Sequence, residues 1–170
     1  MALQPGEIET ALTSYRETRQ LMSPLVDFVI DKMLHDIDHE TSRVFDDDEA
    51  VAVELRSTSR NLAPVLFVFW LDDDRFSLFI EDKEVLDDYV KDDSEIQKTL
   101  TCTKTVLSHE IFRVRYTRSG KLRKVIYTYS TITENGVIEK YEDKMVVGLS
   151  MPWSKNDRSE HLFEPWIVQK

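Results

Sequence analysis

The amino-acid sequence predicts an α+β fold, with N-terminal helices packed on a mainly antiparallel β-sheet that has a short helical insertion. Apolar residues recur at helical spacing over residues 7–40, whereas apolar and polar residues alternate in several segments after residue 50. The pair Asn135-Gly136 adds a strong hairpin signal. Because 170 residues with 41% hydrophobic content suffice for a substantial core, we expect residues 1–170 to form a single domain.

The helical prediction for residues 7–40 depends on an apolar stripe whose members are separated by three, four or seven residues. The stripe consists of Ile8, Leu12, Tyr15, Met22, Val26, Ile30, Met33 and Ile37. Pro24 interrupts it, so we expect Ser23 to cap and Pro24 to open a second helix; one kinked helix is the alternative. The stripe is the face expected to pack on the sheet.

Residues 50–150 are expected to form that sheet. Residues 51–55 alternate as in a half-buried strand, and residues 62–71 are almost continuously apolar, which predicts a central strand buried on both faces. Three consecutive aspartates at 72–74 then predict a hairpin with a charged tip, before a strand at 76–80.

The helical insertion is predicted at residues 82–100, as one or two short helices. Its apolar residues have helical spacing, and Ser94 with Gln97 forms a capping-box pattern. The C-terminal segment, residues 151–170, carries Trp153 and Trp166, each directly after a proline. Tryptophans in such a position more often close a core than mark a recognition surface, although tryptophan is enriched at binding hot spots.

Charge is distributed unevenly along the chain. Residues 1–100 hold 24 Asp and Glu against 10 Lys and Arg, whereas residues 101–170 hold 8 against 12. The acids form blocks at residues 46–49, 72–74, 87–88 and 92–93. A polarised charge layout steers partners and sets their binding orientation. The predicted partner-binding residues are Asp46, Asp47, Asp48, Asp72, Asp73 and Asp74.

A secondary basic patch lies in the basic hairpin, which we define as residues 112–129. Its cations are Arg113, Arg115, Lys121, Arg123 and Lys124. Phe112, Tyr116, Tyr127 and Tyr129 are interleaved with them, and cations with interleaved aromatics can follow a strand of nucleic acid. The simpler interpretation is a cationic outer face over an aromatic inner face, which compensates the acids elsewhere or meets an acidic partner.

Enzymatic motifs are sparse. The four glycines are far apart, so the glycine-rich loop of common nucleotide-binding enzymes is absent from the sequence. His35 and His39 would lie one turn apart on a helix and are weak candidates for metal ligands; solvated histidines at a helix end are the more frequent case. Cys102 with His109 could pair as thiolate and imidazolium only if the fold brought them together.

The single cysteine fits a reducing compartment, and the N-terminal sequence lacks the pattern of a signal peptide, so a cytoplasmic location is expected. We expect no cofactor and no membrane association. The predicted function is a non-enzymatic, acidic protein-binding module (an inhibitor, adaptor or chaperone-like protein) that docks on a basic protein surface and could imitate nucleic acid. The alternatives are a nucleic-acid binder that uses the basic hairpin, and a metal-dependent enzyme that uses His35 and His39.

Overall fold

A computed structural model describes residues 6–35, 37–148 and 155–168 and confirms the α+β fold. Helices are followed by two antiparallel sheets, with a further helix between the sheets along the chain. The helices are α1 (Glu7–Thr18), α2 (Ser23–Phe28) and α3 (Asp93–Leu107). The strands are β1 (Arg43–Asp46), β2 (Ala50–Leu55), β3 (Val65–Trp70), β4 (Arg75–Ile80), β5 (Lys83–Tyr89), β6 (Ile111–Arg118), β7 (Lys121–Ile132), β8 (Ile138–Val146) and β9 (Asp157–Phe163).

The chain divides into two compact units, Met1–Lys104 and Thr105–Lys170, and the boundary falls within α3. We call these the first unit and the second unit. Two compact units can belong to one folding domain, so the single domain expected for residues 1–170 stays a prediction. The division coincides with the change of charge. The first unit holds 24 acids and 11 cations, a net of −13, and the second holds 8 acids and 11 cations, a net of +3.

The N-terminal helical region ends earlier than predicted. A 3₁₀ turn, Gln20–Met22, separates α1 from α2, and a π-helical turn, Val29–Met33, extends α2. The prediction of helix through residue 40 is therefore wrong for the described residues after Met33. Asp38 explains the change, because its carboxylate accepts hydrogen bonds from the Glu40 amide and the Thr41 hydroxyl, both at 2.9 Å, and such local bonds favour a turn. Pro24 does lie in the first turn of α2, but no side chain caps that helix.

The first unit contains a five-stranded antiparallel meander in the order β1-β2-β3-β4-β5. The predicted central strand is β3, which pairs with β2 and β4. Val65, Phe67 and Phe69 are buried, but the residues between them, Leu66 and Val68, are only half-buried. The prediction that both faces of this strand are buried is therefore wrong. Its continuous apolar run did not reveal which face the helices cover.

Residues 83–89 form the edge strand β5, so the helical prediction for residues 82–100 is wrong over this part. Leu86 pairs with Leu78 and Glu84 with Phe79, which leaves Val85 as the extra residue of a β-bulge. Because the bulge adds Val85 next to Leu86, the apolar residues of β5 do not alternate strictly, and their spacing resembles that of a helix. The helix begins at Asp93, where Asp92 accepts the amide hydrogens of Ser94 and Glu95.

The second unit contains a four-stranded antiparallel sheet in the order β8-β7-β6-β9. The predicted hairpin between β6 and β7 is confirmed, and its turn residues Ser119 and Gly120 have φ angles of 50° and 74°. Asn135-Gly136 joins β7 to β8, as predicted, and Gly136 has a φ of 78°. Trp166 is buried, in agreement with a core role. Trp153 lies outside the described residues.

Candidate charged surfaces

The meander of the first unit brings the acidic blocks to one end of its sheet. Alternate turns of an antiparallel meander lie at the same end, so the β1–β2 turn and the β3–β4 turn are neighbours. A 2.8 Å hydrogen bond from the Leu71 amide to the Glu49 carbonyl joins these two turns. The chain leaving β5 joins them too, because the Val90 amide donates to the Asp74 carbonyl at 2.7 Å. We call residues 46–49, 72–74 and 92–93 the acidic end.

Some acids of this end stabilise the fold. Asp47 closes its turn by accepting the Glu49 and Ala50 amides, both at 2.9 Å, and these bonds hold the pKa of its carboxyl below the usual range. Asp74 forms an ion pair with Arg19 at 3.6 Å. Arg19 also donates to the Leu71 carbonyl, so the charged tip is fixed to the segment that follows α1.

Among the six aspartates predicted to bind a partner, those with no such role in the described part of the chain are Asp46 and Asp48 in the first turn and Asp72 and Asp73 in the second. All four are exposed. Six aspartates were predicted to bind a partner, and all six lie at the acidic end. Hydrogen bonds to backbone amides and the ion pair with Arg19 separate Asp47 and Asp74, which order the turns, from the other four. Sequence reasoning could not make this distinction, since it depends on backbone amides and a distant arginine.

Two further acids of the sheet, Asp87 and Asp88, lie on opposite faces of β5. Asp87 accepts two hydrogen bonds from the Arg75 guanidinium at 2.8 Å and one from the Ser77 hydroxyl at 2.7 Å. Asp88 accepts a hydrogen bond from the Thr99 hydroxyl at 2.8 Å, which ties the edge strand to α3. These acids therefore hold the sheet together rather than extend the acidic end.

The cations of the basic hairpin share faces with aromatic residues. Arg113 pairs with Tyr127 across the strands, and its guanidinium lies 4.9 Å from the centre of the Phe163 ring on β9. On the opposite face, the Lys124 ammonium lies 5.1 Å from the centre of the Tyr116 ring. The expected separation into a cationic outer face and an aromatic inner face is therefore wrong, because aromatics from β7 and β9 join the arginines of β6.

A cavity of about 490 Å³ lies at the edge of this sheet where β7 begins and β6 and β8 end. The described residues that line it are Tyr116, Arg123, Lys124, Lys144, Val146, Gly148 and Asn156. We call it the cationic cavity. Three of these side chains are cations and none is an acid. The basic patch predicted Arg123 and Lys124, but Lys144 and Asn156 were missed. Lys144 reaches the hairpin through the pairing of β8 with β7, and Asn156 directly precedes β9, which pairs with β6.

The two histidines proposed as metal ligands, His35 and His39, are not on a helix. The expectation that they lie one helical turn apart is therefore wrong. His35 lies in the turn after the π-helical segment, and its Nε2 is 2.8 Å from the Asp31 carbonyl oxygen. His39 is exposed in the next turn. Within residues 6–35, 37–148 and 155–168, no group of three or more His, Cys, Asp or Glu side chains could hold a metal ion.

Cys102 is half-buried on α3, and burial raises the pKa of its thiol, with a further contribution from Asp88. A raised pKa disfavours the thiolate that a nucleophile requires. His109 has its own partner, because its Nδ1 lies 2.8 Å from the Thr105 carbonyl oxygen.

The fold and its surfaces define an α+β protein with two antiparallel sheets, one ending in a cluster of acids and the other rich in cations. No family model, curated protein or solved structure matches the chain. Among the described residues, no helix is both long enough and apolar enough to cross a bilayer.

Proposed function

We propose that this protein is a non-enzymatic protein-binding module whose acidic end docks on a basic surface of another protein. The observation that carries the proposal is the meeting of separate acidic blocks at one end of the five-stranded sheet, through the bonds from Leu71 to Glu49 and from Val90 to Asp74. Sequence-distant carboxylates at one end of a rigid sheet create a concentrated negative potential.

The acidic end is preorganised for binding. The Asp47 carboxylate and the Arg19–Asp74 ion pair fix the two turns, so the exposed acids lose less conformational freedom when a partner binds. The net charge of −13 on the first unit adds long-range attraction for a basic partner. Exposed charges of this type act mainly on the rate of encounter, and salt screens them.

The test begins with a pull-down from the native host by the wild-type protein. For each partner that the pull-down retains, association and dissociation rates are measured with the parent protein and with two double variants. One variant carries Asp72→Asn with Asp73→Asn, and the other carries Asp46→Asn with Asp48→Asn. We expect both variants to lower the association rate more than they raise the dissociation rate. Salt should reduce the difference between variant and parent.

The matched control is Asp82→Asn with Glu84→Gln, which removes two charges near the β4–β5 turn, at the opposite end of the same sheet. It should leave association nearly unchanged. If this control slows association as much as the acidic-end variants do, net charge alone drives binding and the proposed surface is wrong. Competition by duplex DNA for the same partner would support the narrower proposal that the acidic end imitates a phosphate row.

Nucleic-acid binding by the basic hairpin is the second candidate function. The observation that favours it is the placement of Arg113 against Phe163 and of Lys124 against Tyr116, since cations beside aromatic rings can bind backbone and base together. Replacing Arg113 and Arg115 with Gln should then abolish a salt-dependent affinity for single-stranded oligonucleotides. If the acidic-end variants associate with partners at the parental rate in low salt and the arginine variant does not, this second candidate replaces the first.

A further inference from the structure

We infer that the cationic cavity binds a phosphate group carried by a small organic molecule. The inference depends only on the second unit and is independent of the acidic end. The volume of the cationic cavity, about 490 Å³, lies within the range of small-molecule sites, which is roughly 300–1,000 Å³. Arg123, Lys124 and Lys144 supply three positive charges to one half-open cavity, and such a concentration, with no acid among the described residues of the lining, favours an anionic occupant.

Arg123 is the central donor of this site. Its Nε is buried and has no hydrogen-bond partner among the described residues, and a buried donor without a partner costs free energy. Gly148 lies directly against its guanidinium, because a Cβ at that position would be 3.0 Å from Nη1. The glycine therefore leaves room for a planar guanidinium, which suits the geometry of a phosphate.

Asn156 supplies a second unfulfilled polar group. Its Oδ1 is buried without a partner among the described residues, and the residue lies directly before β9, beside the cavity. An amide can present either an acceptor to a ligand hydroxyl or, after rotation, a donor to an anion. Arg123 Nε on β7 and Asn156 Oδ1 directly before β9 are thus two buried polar groups beside one cavity, and a single ligand that bonds to both would satisfy them.

The rest of the lining indicates an organic part on that ligand. Tyr116 and Val146 form an apolar wall next to the cations. A phosphate alone would fill a small fraction of the space, whereas a sugar phosphate or nucleoside monophosphate would also reach this wall. Because cationic side chains supply the positive charge of this cavity, a phosphate can bind here without the glycine-rich loop that the sequence lacks.

The test is calorimetric titration of the full chain at fixed ionic strength with four organic probes and inorganic phosphate. Adenosine 5′-monophosphate and glucose 6-phosphate are compared with adenosine and glucose. We expect at least one phosphorylated probe to bind at least about tenfold more tightly than both its unphosphorylated counterpart and inorganic phosphate. The inference is wrong if neither phosphorylated probe gives saturable binding, or if inorganic phosphate binds as tightly as the phosphorylated probe.

Variants assign the binding to this cavity. Lys144→Gln and Arg123→Lys should each lower the affinity for the phosphorylated probe by at least about fivefold. Arg123→Lys has this effect because lysine keeps the charge but loses the planar donor pair. Lys140→Gln is the matched control, since Lys140 is an exposed cation on β8 outside the cavity. Equal weakening by Lys140→Gln would show non-specific attraction. Tighter binding of a six-nucleotide RNA through the same residues would assign the surface to nucleic acid instead. Either result contradicts the inference.

Discussion

Arg75 and Asp87 form a bidentate ion pair across β4 and β5, with both nitrogen–oxygen distances at 2.8 Å. The Arg75 guanidinium also lies 4.8 Å from the centre of the Trp70 ring and 5.2 Å from that of the Tyr89 ring. A single arginine thus joins β3, β4 and β5 next to the acidic end. This contact holds an edge strand whose sequence has helical spacing.

We expect Asp87→Asn to lower the free energy of unfolding by about 1 kcal/mol at neutral pH, since it weakens a charge-assisted bond at a partly exposed site. The Arg75 guanidinium lowers the pKa of the Asp87 carboxyl. A lowered folded-state pKa means that the stabilisation is present above the unfolded pKa of about 3.9 and is lost as the pH falls through the folded value. Urea titrations of both proteins between neutral and acidic pH should therefore converge at low pH. A constant difference would contradict the assignment.

Phe67 fills the centre of the first unit, where it has no exposed surface and packs near Phe76. Phe67→Ala should lower the free energy of unfolding by about 3–5 kcal/mol through lost transfer free energy and a cavity. Leu66→Ala, on the half-buried face of the same strand, is the comparison and should cost clearly less. Chemical denaturation measures both. A loss below about 1 kcal/mol for Phe67→Ala would mean that β3 is not at the core.

The two aspartates of the first acidic turn should respond differently to neutralisation. Asp47→Asn should lower the melting temperature, because its carboxylate accepts the Glu49 and Ala50 amides as an anion. Asp48→Asn removes the same charge from an exposed neighbour and should leave the melting temperature unchanged or raise it by reducing repulsion. Thermal unfolding at low salt compares them. Equal melting temperatures would show that the turn does not depend on its carboxylate.

The double variant His35→Ala with His39→Ala should keep the fold and any binding activity nearly intact. His39 is exposed, and neither histidine lies on the helix that would have aligned the pair. Circular dichroism and metal analysis after purification without added metal provide the measurements. Loss of a stoichiometric metal ion in the variant would replace the protein-binding proposal with the metal-dependent enzyme.

The α+β class, the central place of β3 and the hairpins at residues 112–129 and at Asn135-Gly136 can be predicted from the amino-acid sequence, because periodicity and turn chemistry are local properties. The sequence also located the acidic blocks and the basic hairpin along the chain. It misassigned β5, since a bulge at Val85 imitates helical spacing and only pairing with β4 reveals it.

Tertiary structure alone decided which charges meet. The register of the meander joins the 46–49 turn to the 72–74 turn, and an ion pair from Arg19 separates the structural Asp74 from its exposed neighbours. In the second unit, pairing of β7 with β8 brings Lys144 to the cavity that Arg123 lines. Contacts between residues far apart in sequence depend on strand order and register, which a one-dimensional charge pattern does not contain.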